Sequence, residues 1–211
     1  MSLYKRIIWD FNGTLLDDLD VCFRCVNALL VRHGKAPFAD YDKYRHTFRF
    51  PIKEYYRDAG FDFDVTPYDV LAAEFMEMYY EREPYTPLVR GVKETLDTLR
   101  SLGIKQTVLS ASRLEYLRTQ LDRLNITHYF DEVLGISDIY AASKLHIARE
   151  WIAASGEDPD TMLMVGDTLH DAETASELGC KCVLYSGGHQ ALEAFDGPVI
   201  DNIAEVLKFL H

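Results

Sequence analysis

The chain has 211 residues, of which 48% are hydrophobic and 27% charged, a balance that supports a packed core and excludes a disordered chain. Its net charge of −12, with no run of Lys or Arg, makes a nucleic-acid backbone a poor partner. The apolar runs are short and broken by charges, so no membrane span is expected, and Met1-Ser2-Leu3-Tyr4-Lys5-Arg6 leads straight into a strand-like run with no export signal. The expected setting is therefore the cytoplasm.

Arg6 to Asp10 reads as a first strand, apolar and β-branched, stopping at Asn12-Gly13. Residues 18–83 then carry helical patterns only. Asp18 to His33 ends at Gly34, Pro51 to Ala59 starts with a proline in its first turn, and a third helix runs from about Thr66 to Glu81. Cys22 and Cys25, spaced as C-x-x-C, fall on the first of these helices and read better as one apolar face than as a thiol site.

From Gly91 strands and helices alternate. Helices are expected over 91–102, 113–124, 144–155, 170–178 and 202–210. Strands are expected at Gln106–Ser110, Val133–Ile136, 161–165 and Cys182–Tyr185. This alternation predicts an α/β fold, a Rossmann-like parallel sheet with helices on both faces and a small helical cap inserted after the first strand. The expected division is an α/β core of residues 1–16 and 85–211, with 17–84 as the cap.

Ligands in such sheets sit at the carboxyl ends of the strands. Asp10, Ser110 and Asp167 all fall there. Asp10 can attack phosphorus or bind a cation. An Asn-Gly hairpin turn is the competing reading, but Asp17-Asp18 and a helix follow rather than a second strand. Asp167 and Asp171, four apart across a strand end and a helix start, can face one site, although a helix cap would explain one of them. Hard oxygen ligands beside a phosphate select Mg²⁺. Lys144, after Ser143, opens a helix, where a solvated lysine is the ordinary reading.

Together these residues resemble the haloacid dehalogenase-like hydrolases, in their phosphoglycolate-phosphatase-like branch. Asp10-x-Asn12-Gly13-Thr14 resembles the first motif, Val108-Leu109-Ser110 the second, Lys144 the third and Gly166-Asp167-x-x-x-Asp171 the fourth. The resemblance implies a Mg²⁺-dependent phosphatase for a small phosphorylated metabolite, working through an aspartyl-phosphate on Asp10. It implies a metal held by Asp10, Asp167 and the backbone carbonyl of Asn12, with Asp171 nearby. Ser110 and Lys144 would hold the phosphoryl oxygens, aided by Gly13, Thr14 and Ala111.

The chain departs from the family at Asn12, where its phosphatases carry a second aspartate that protonates the leaving oxygen and activates water. Two other outcomes stay open on that account: a catalytically impaired phosphate-binding or regulatory protein, and a carbon–phosphorus bond hydrolase using a cap lysine such as Lys53. On sequence alone, Asn12→Asp is expected to speed hydrolysis of alkyl phosphates. His170 is one candidate for the missing acid. The cap offers Arg45, His46, Arg49 and Lys53, with Arg49 and Lys53 as candidate substrate contacts, though the stretch reads equally as solvated surface.

Overall fold

The computed structural model describes residues 3–136 and 144–210, so Met1, Ser2 and Ser143 of the sequence reading lie outside the described residues. The strands are β1 (Arg6–Trp9), β2 (Lys105–Arg113), β3 (Glu132–Ile136), β4 (Met162–Gly166), β5 (Lys181–Tyr185) and β6 (Val199–Ile200). They form one sheet in the order β3-β2-β1-β4-β5-β6, and every pairing is parallel. β1 is covered on both faces, which explains its unbroken apolar run: Ile7, Ile8 and Trp9 are all buried. Arg6, also buried, is matched by Glu157 and by the Thr107 hydroxyl.

The helices are α1 (Leu19–Arg32), α2 (Tyr41–Thr47), α3 (Ile52–Asp58), α4 (Tyr68–Arg82), α5 (Val92–Ser101), α6 (Leu114–Arg123), α7 (Lys144–Ser155) and α8 (Leu169–Leu178). Residues 203–210, expected as an α-helix, form a 3₁₀ segment. The short helix α2 and the two-residue strand β6 have no counterpart in the sequence reading; both are too short to show a period.

Two apolar clusters flank the sheet. One gathers Ile7, Trp9, Leu96, Leu117 and Val206, and the other Ile8, Leu109, Met164 and Ala175, so alternate residues of β1 enter opposite cores. A third cluster belongs to the helices between β1 and α5, built on Val26, Leu29, Leu30, Tyr44, Tyr55 and Leu71. Cys25 is buried in it, as the helical-face reading of the C-x-x-C expects.

β1 lies where the connections reverse. The chain moves from β1 through β2 to β3, then returns to place β4 on the other side of β1. A crevice at the carboxyl end of β1 follows from that topology, because the loops on either side diverge.

Candidate active site

Asp10 follows β1 directly, and its amide is held by the Val165 carbonyl of β4 at 2.8 Å. Asp167 follows β4, Ser110 lies near the carboxyl end of β2, and Lys144 is the first residue of α7. Lys144 Nζ donates to Asp10 Oδ1 and, at 2.7 Å, to Asp171 Oδ1. The carboxylates of Asp10, Asp167 and Asp171 each place an oxygen within 4.8 Å of the others.

Asp171 has two tasks. Its Oδ2 accepts the amides of Asp167 and Thr168 and the Thr168 hydroxyl, closing a capping box at the start of α8. Its Oδ1 is left for Lys144. Asp171 therefore caps α8 and also contacts Lys144. Asp167 accepts the Thr14 hydroxyl on Oδ1 at 3.1 Å and the His189 amide on Oδ2 at 2.6 Å. Gly13 has φ +75, and a Cβ there would lie 2.4 Å from Asp167 Oδ2. Both the turn and the close approach require glycine. Thr14 and Gly13 thus support Asp167 from behind, whereas Ala111 and Ser110 line the cavity in front.

Burial pushes the Asp10 carboxyl well above the usual range; Lys144 opposes that shift, while Asp171 and Asp167 add to it. Asp167 is pushed up to about 6, again chiefly by burial. Asp171 is also raised by burial, but Lys144 outweighs that and holds it below the usual range. Lys144 is the converse: burial disfavours its charge, and the two carboxylates raise it above the ordinary lysine value.

A second network, absent from the sequence reading, adjoins the first. Asp18 precedes α1 without capping it. Its carboxylate turns inward instead, accepting Asn12 Nδ2 at 2.8 Å, the Gly13 amide at 2.8 Å and the Tyr79 hydroxyl at 2.8 Å. His189 Nε2 lies 3.0 Å from Asp18 Oδ1, and its Nδ1 lies 3.0 Å from the Tyr44 hydroxyl. Burial disfavours a charged His189, but Asp18 outweighs it and pushes the imidazole up to about 9. Burial likewise would raise Asp18, yet His189 and the donors from Asn12 and Tyr79 hold it below the usual range. At neutral pH the pair is ionised.

Asn12 sits between the two networks. Its Nδ2 donates to Asp18 and to the Tyr79 hydroxyl at 2.9 Å, and its Oδ1 accepts the Ser112 hydroxyl at 3.2 Å. An amide satisfies all three; a carboxylate has no donor for Asp18. Asn12 is thus matched to Asp18. The signal for His189 was the rule used for the other strands: Gly187-Gly188-His189 follows the carboxyl end of β5. Asp18 gave no such signal, since an aspartate before a helix reads as its cap.

The cations of the helical segment between β1 and α5 go elsewhere. Arg49 pairs with Asp58 at 2.6 Å on the surface, and Lys53 Nζ lies 5.6 Å from the centroid of the Phe63 ring. Neither lines the cavity, contrary to their expected role as substrate contacts, because each finds a partner within its own helical segment. Arg45 donates to the Gly187 and Gly188 carbonyls, tying α2 to the loop that carries His189. His46 is half exposed beside Asp42 and Glu193. His170 stacks on Phe50 with centroids 4.7 Å apart and borders the cavity.

Residues 7–185 match the sequence profile of the haloacid dehalogenase-like hydrolases. The chain is 26% identical over 219 residues to the phosphoglycolate phosphatase of Pseudomonas putida, covering 98% of this chain and 79% of that protein. It is 28% identical over 211 residues to the phosphoglycolate phosphatase of Aquifex aeolicus, covering 90% and 88%. Its fold matches a haloacid dehalogenase-like hydrolase from Streptococcus pneumoniae with a TM-score of 0.82 at 18% identity, over the whole of both chains. With the parallel sheet, the four motif positions at its carboxyl edge and a profile match across most of the sequence, the chain belongs to the haloacid dehalogenase-like hydrolases.

Proposed function

We propose that this protein is a Mg²⁺-dependent phosphatase of a small phosphorylated metabolite, working through an aspartyl-phosphate on Asp10. The observation that carries the reading is the cluster of Asp10, Asp167 and Asp171, with Lys144 bonded to Asp10 and Asp171, all lining one cavity. The relatives named as phosphoglycolate phosphatases support it.

The donor set fits a hard divalent cation. All the donors are oxygens, the preference of Mg²⁺ rather than of softer metals. Fully ionised, Asp10, Asp167, Asp171 and Asp18 would carry four negative charges against the two positive ones of Lys144 and His189, leaving two for a divalent cation to neutralise. Asp10, Asp167 and the Asn12 carbonyl would hold the ion, with Asp171 committed to Lys144 and its helix cap. Bound there, Mg²⁺ would neutralise charge on the phosphoryl group and on the attacking carboxylate.

The remaining work falls to the chain. Lys144 orients Asp10 through Oδ1 and offers its remaining proton to a phosphoryl oxygen. The Ser110 hydroxyl, which accepts the Ser112 amide at 3.1 Å, and the Ala111 amide bind another. The attacking oxygen is Asp10 Oδ2. Residues 17–84 act as a cap that shields the site and selects the leaving group. The four cysteines are free thiols, which suits a reducing cytoplasm. Among the described residues no helix is long and apolar enough to cross a membrane.

The test is release of phosphate from a panel of phosphomonoesters with and without Mg²⁺, together with mass spectrometry of Asp10 during turnover. Turnover and a phosphorylated Asp10 are expected with Mg²⁺, and both should vanish in Asp10→Asn. Hydrolysis that survives Asp10→Asn or full chelation overturns the proposal.

A further inference from the structure

The cavity above Asp10 has a volume of about 440 Å³, larger than a two-carbon phosphate needs. Its cap wall is aromatic, with Phe48, Phe50, Tyr55, Tyr56, Tyr68 and Phe75 among its residues. Among the described lining residues Lys144 is the one Lys or Arg, and it is already shared between Asp10 and Asp171. Both nitrogens of His189 are engaged, by Asp18 and Tyr44. The cap cations Arg45, Arg49 and Lys53 point to partners outside the cavity. A second anion on a substrate, such as the carboxylate of phosphoglycolate, would meet aromatic rings and, beside the committed Lys144 and His189, only His170, which is stacked on Phe50 and 3.5 Å from Glu173. Burying a charge in such a place is strongly unfavourable.

A further observation specifies what would fit. Asn12, in the place where an acid would protonate the leaving oxygen, is bound to Asp18, Tyr79 and Ser112. An alkoxide cannot readily depart without that proton. A phenoxide can, since a phenol has a pKa of about 10.

Resting on the phosphatase reading above, we propose that the natural substrate is an aryl phosphate with an otherwise uncharged aromatic leaving group. Asp10 Oδ2 forms a bond to phosphorus as the phosphorus–aryl oxygen bond breaks. The electron pair leaves on the aryl oxygen, which takes a proton from water after departure. Water then attacks the aspartyl-phosphate, releasing inorganic phosphate and restoring the carboxylate. The aromatic wall and the missing acid thus select the same class of ester.

The experiment measures kcat/KM with Mg²⁺ for phenyl phosphate, 4-hydroxyphenyl phosphate, 4-carboxyphenyl phosphate and 2-phosphoglycolate. Acetyl phosphate, which has little to offer the cap, reports on Asp10 chemistry alone. The expected order places 4-hydroxyphenyl and phenyl phosphate at least tenfold above both carboxylate-bearing esters. The two carboxylates separate charge from leaving-group reactivity, because 4-carboxyphenyl phosphate also releases a phenoxide. Turnover of acetyl phosphate with 2-phosphoglycolate or 4-carboxyphenyl phosphate equal to or above phenyl phosphate overturns the aryl proposal and leaves the phosphatase reading standing. Failure of all five overturns both.

Discussion

Asn12→Asp reverses in expectation once its neighbours are known. The amide nitrogen of Asn12 lies 2.8 Å from Asp18 Oδ2. A carboxylate at position 12 would put a second negative oxygen there, with no new cation to match it, since His189 already answers Asp18. Two unit charges at that distance repel by about 6 kcal/mol at an effective dielectric constant of about 20. Taking up a proton is less costly: holding an ordinary carboxyl neutral at pH 7 requires about 4 kcal/mol. The pair therefore binds one proton, and the variant is about 4 kcal/mol less stable at neutral pH, or roughly 10 °C in melting temperature for a chain of this size. Its folded-state carboxyl pKa is raised above the unfolded value, so the deficit grows as pH rises and narrows to about 1.5 kcal/mol at pH 5. The shared proton bridges toward Asp18 rather than a leaving group, so alkyl phosphate hydrolysis does not improve. Thermal unfolding with chelator present at pH 5 and 7.5 measures this. A single variant that melts within 2 °C of the native protein at pH 7.5, or a deficit that is the same at pH 5, would refute the matched-pair argument.

His189→Gln should cost about 3 kcal/mol at pH 6, because the folded imidazole is pushed up to about 9 and that stabilisation is complete below its unfolded value. The cost should fade as pH rises through 9 in denaturant titrations; a cost constant from pH 6 to 10 would show packing alone. Lys144→Met leaves Asp10 and Asp171 without their shared cation, so metal-free stability should fall by about 3 kcal/mol or more and phosphate release at least a hundredfold. An unchanged melting temperature would contradict the pairing. With 4-nitrophenyl phosphate, departure needs no acid but attack of water on the aspartyl-phosphate lacks a base, so stopped-flow should record a burst of about one nitrophenolate per active site. A linear trace would mean that dephosphorylation is not the slow step.

Local pattern was enough to read the sheet and the motif residues. A fully buried parallel strand is a short apolar run, and a parallel sheet gathers the residues after such runs at one edge. Asp10, Ser110 and Asp167 could therefore be assigned to a common site before any contact was known. Asp171 was legible only in part: its cap to α8 is local, but its bond to Lys144 spans 27 positions. Chain closure decided the rest. Asp18 and His189 are 171 positions apart, and neither carries a period or a motif that names the other. A helix-leading aspartate has the same local signature whether it caps the helix or turns away, and Asp18 turns away because Asn12, Tyr79 and His189 converge on it. Arg49 and Lys53 have the composition of a substrate clamp, yet side-chain direction is set by packing, and Asp58 and the ring of Phe63 are the nearer partners. Sequence by itself determined the family, the sheet and the candidate site residues at its carboxyl edge, because each rests on local periodicity and motif spacing. Only the tertiary structure decided the charge balance of the site and its aromatic wall, because both depend on which distant side chains share one buried, low-dielectric space.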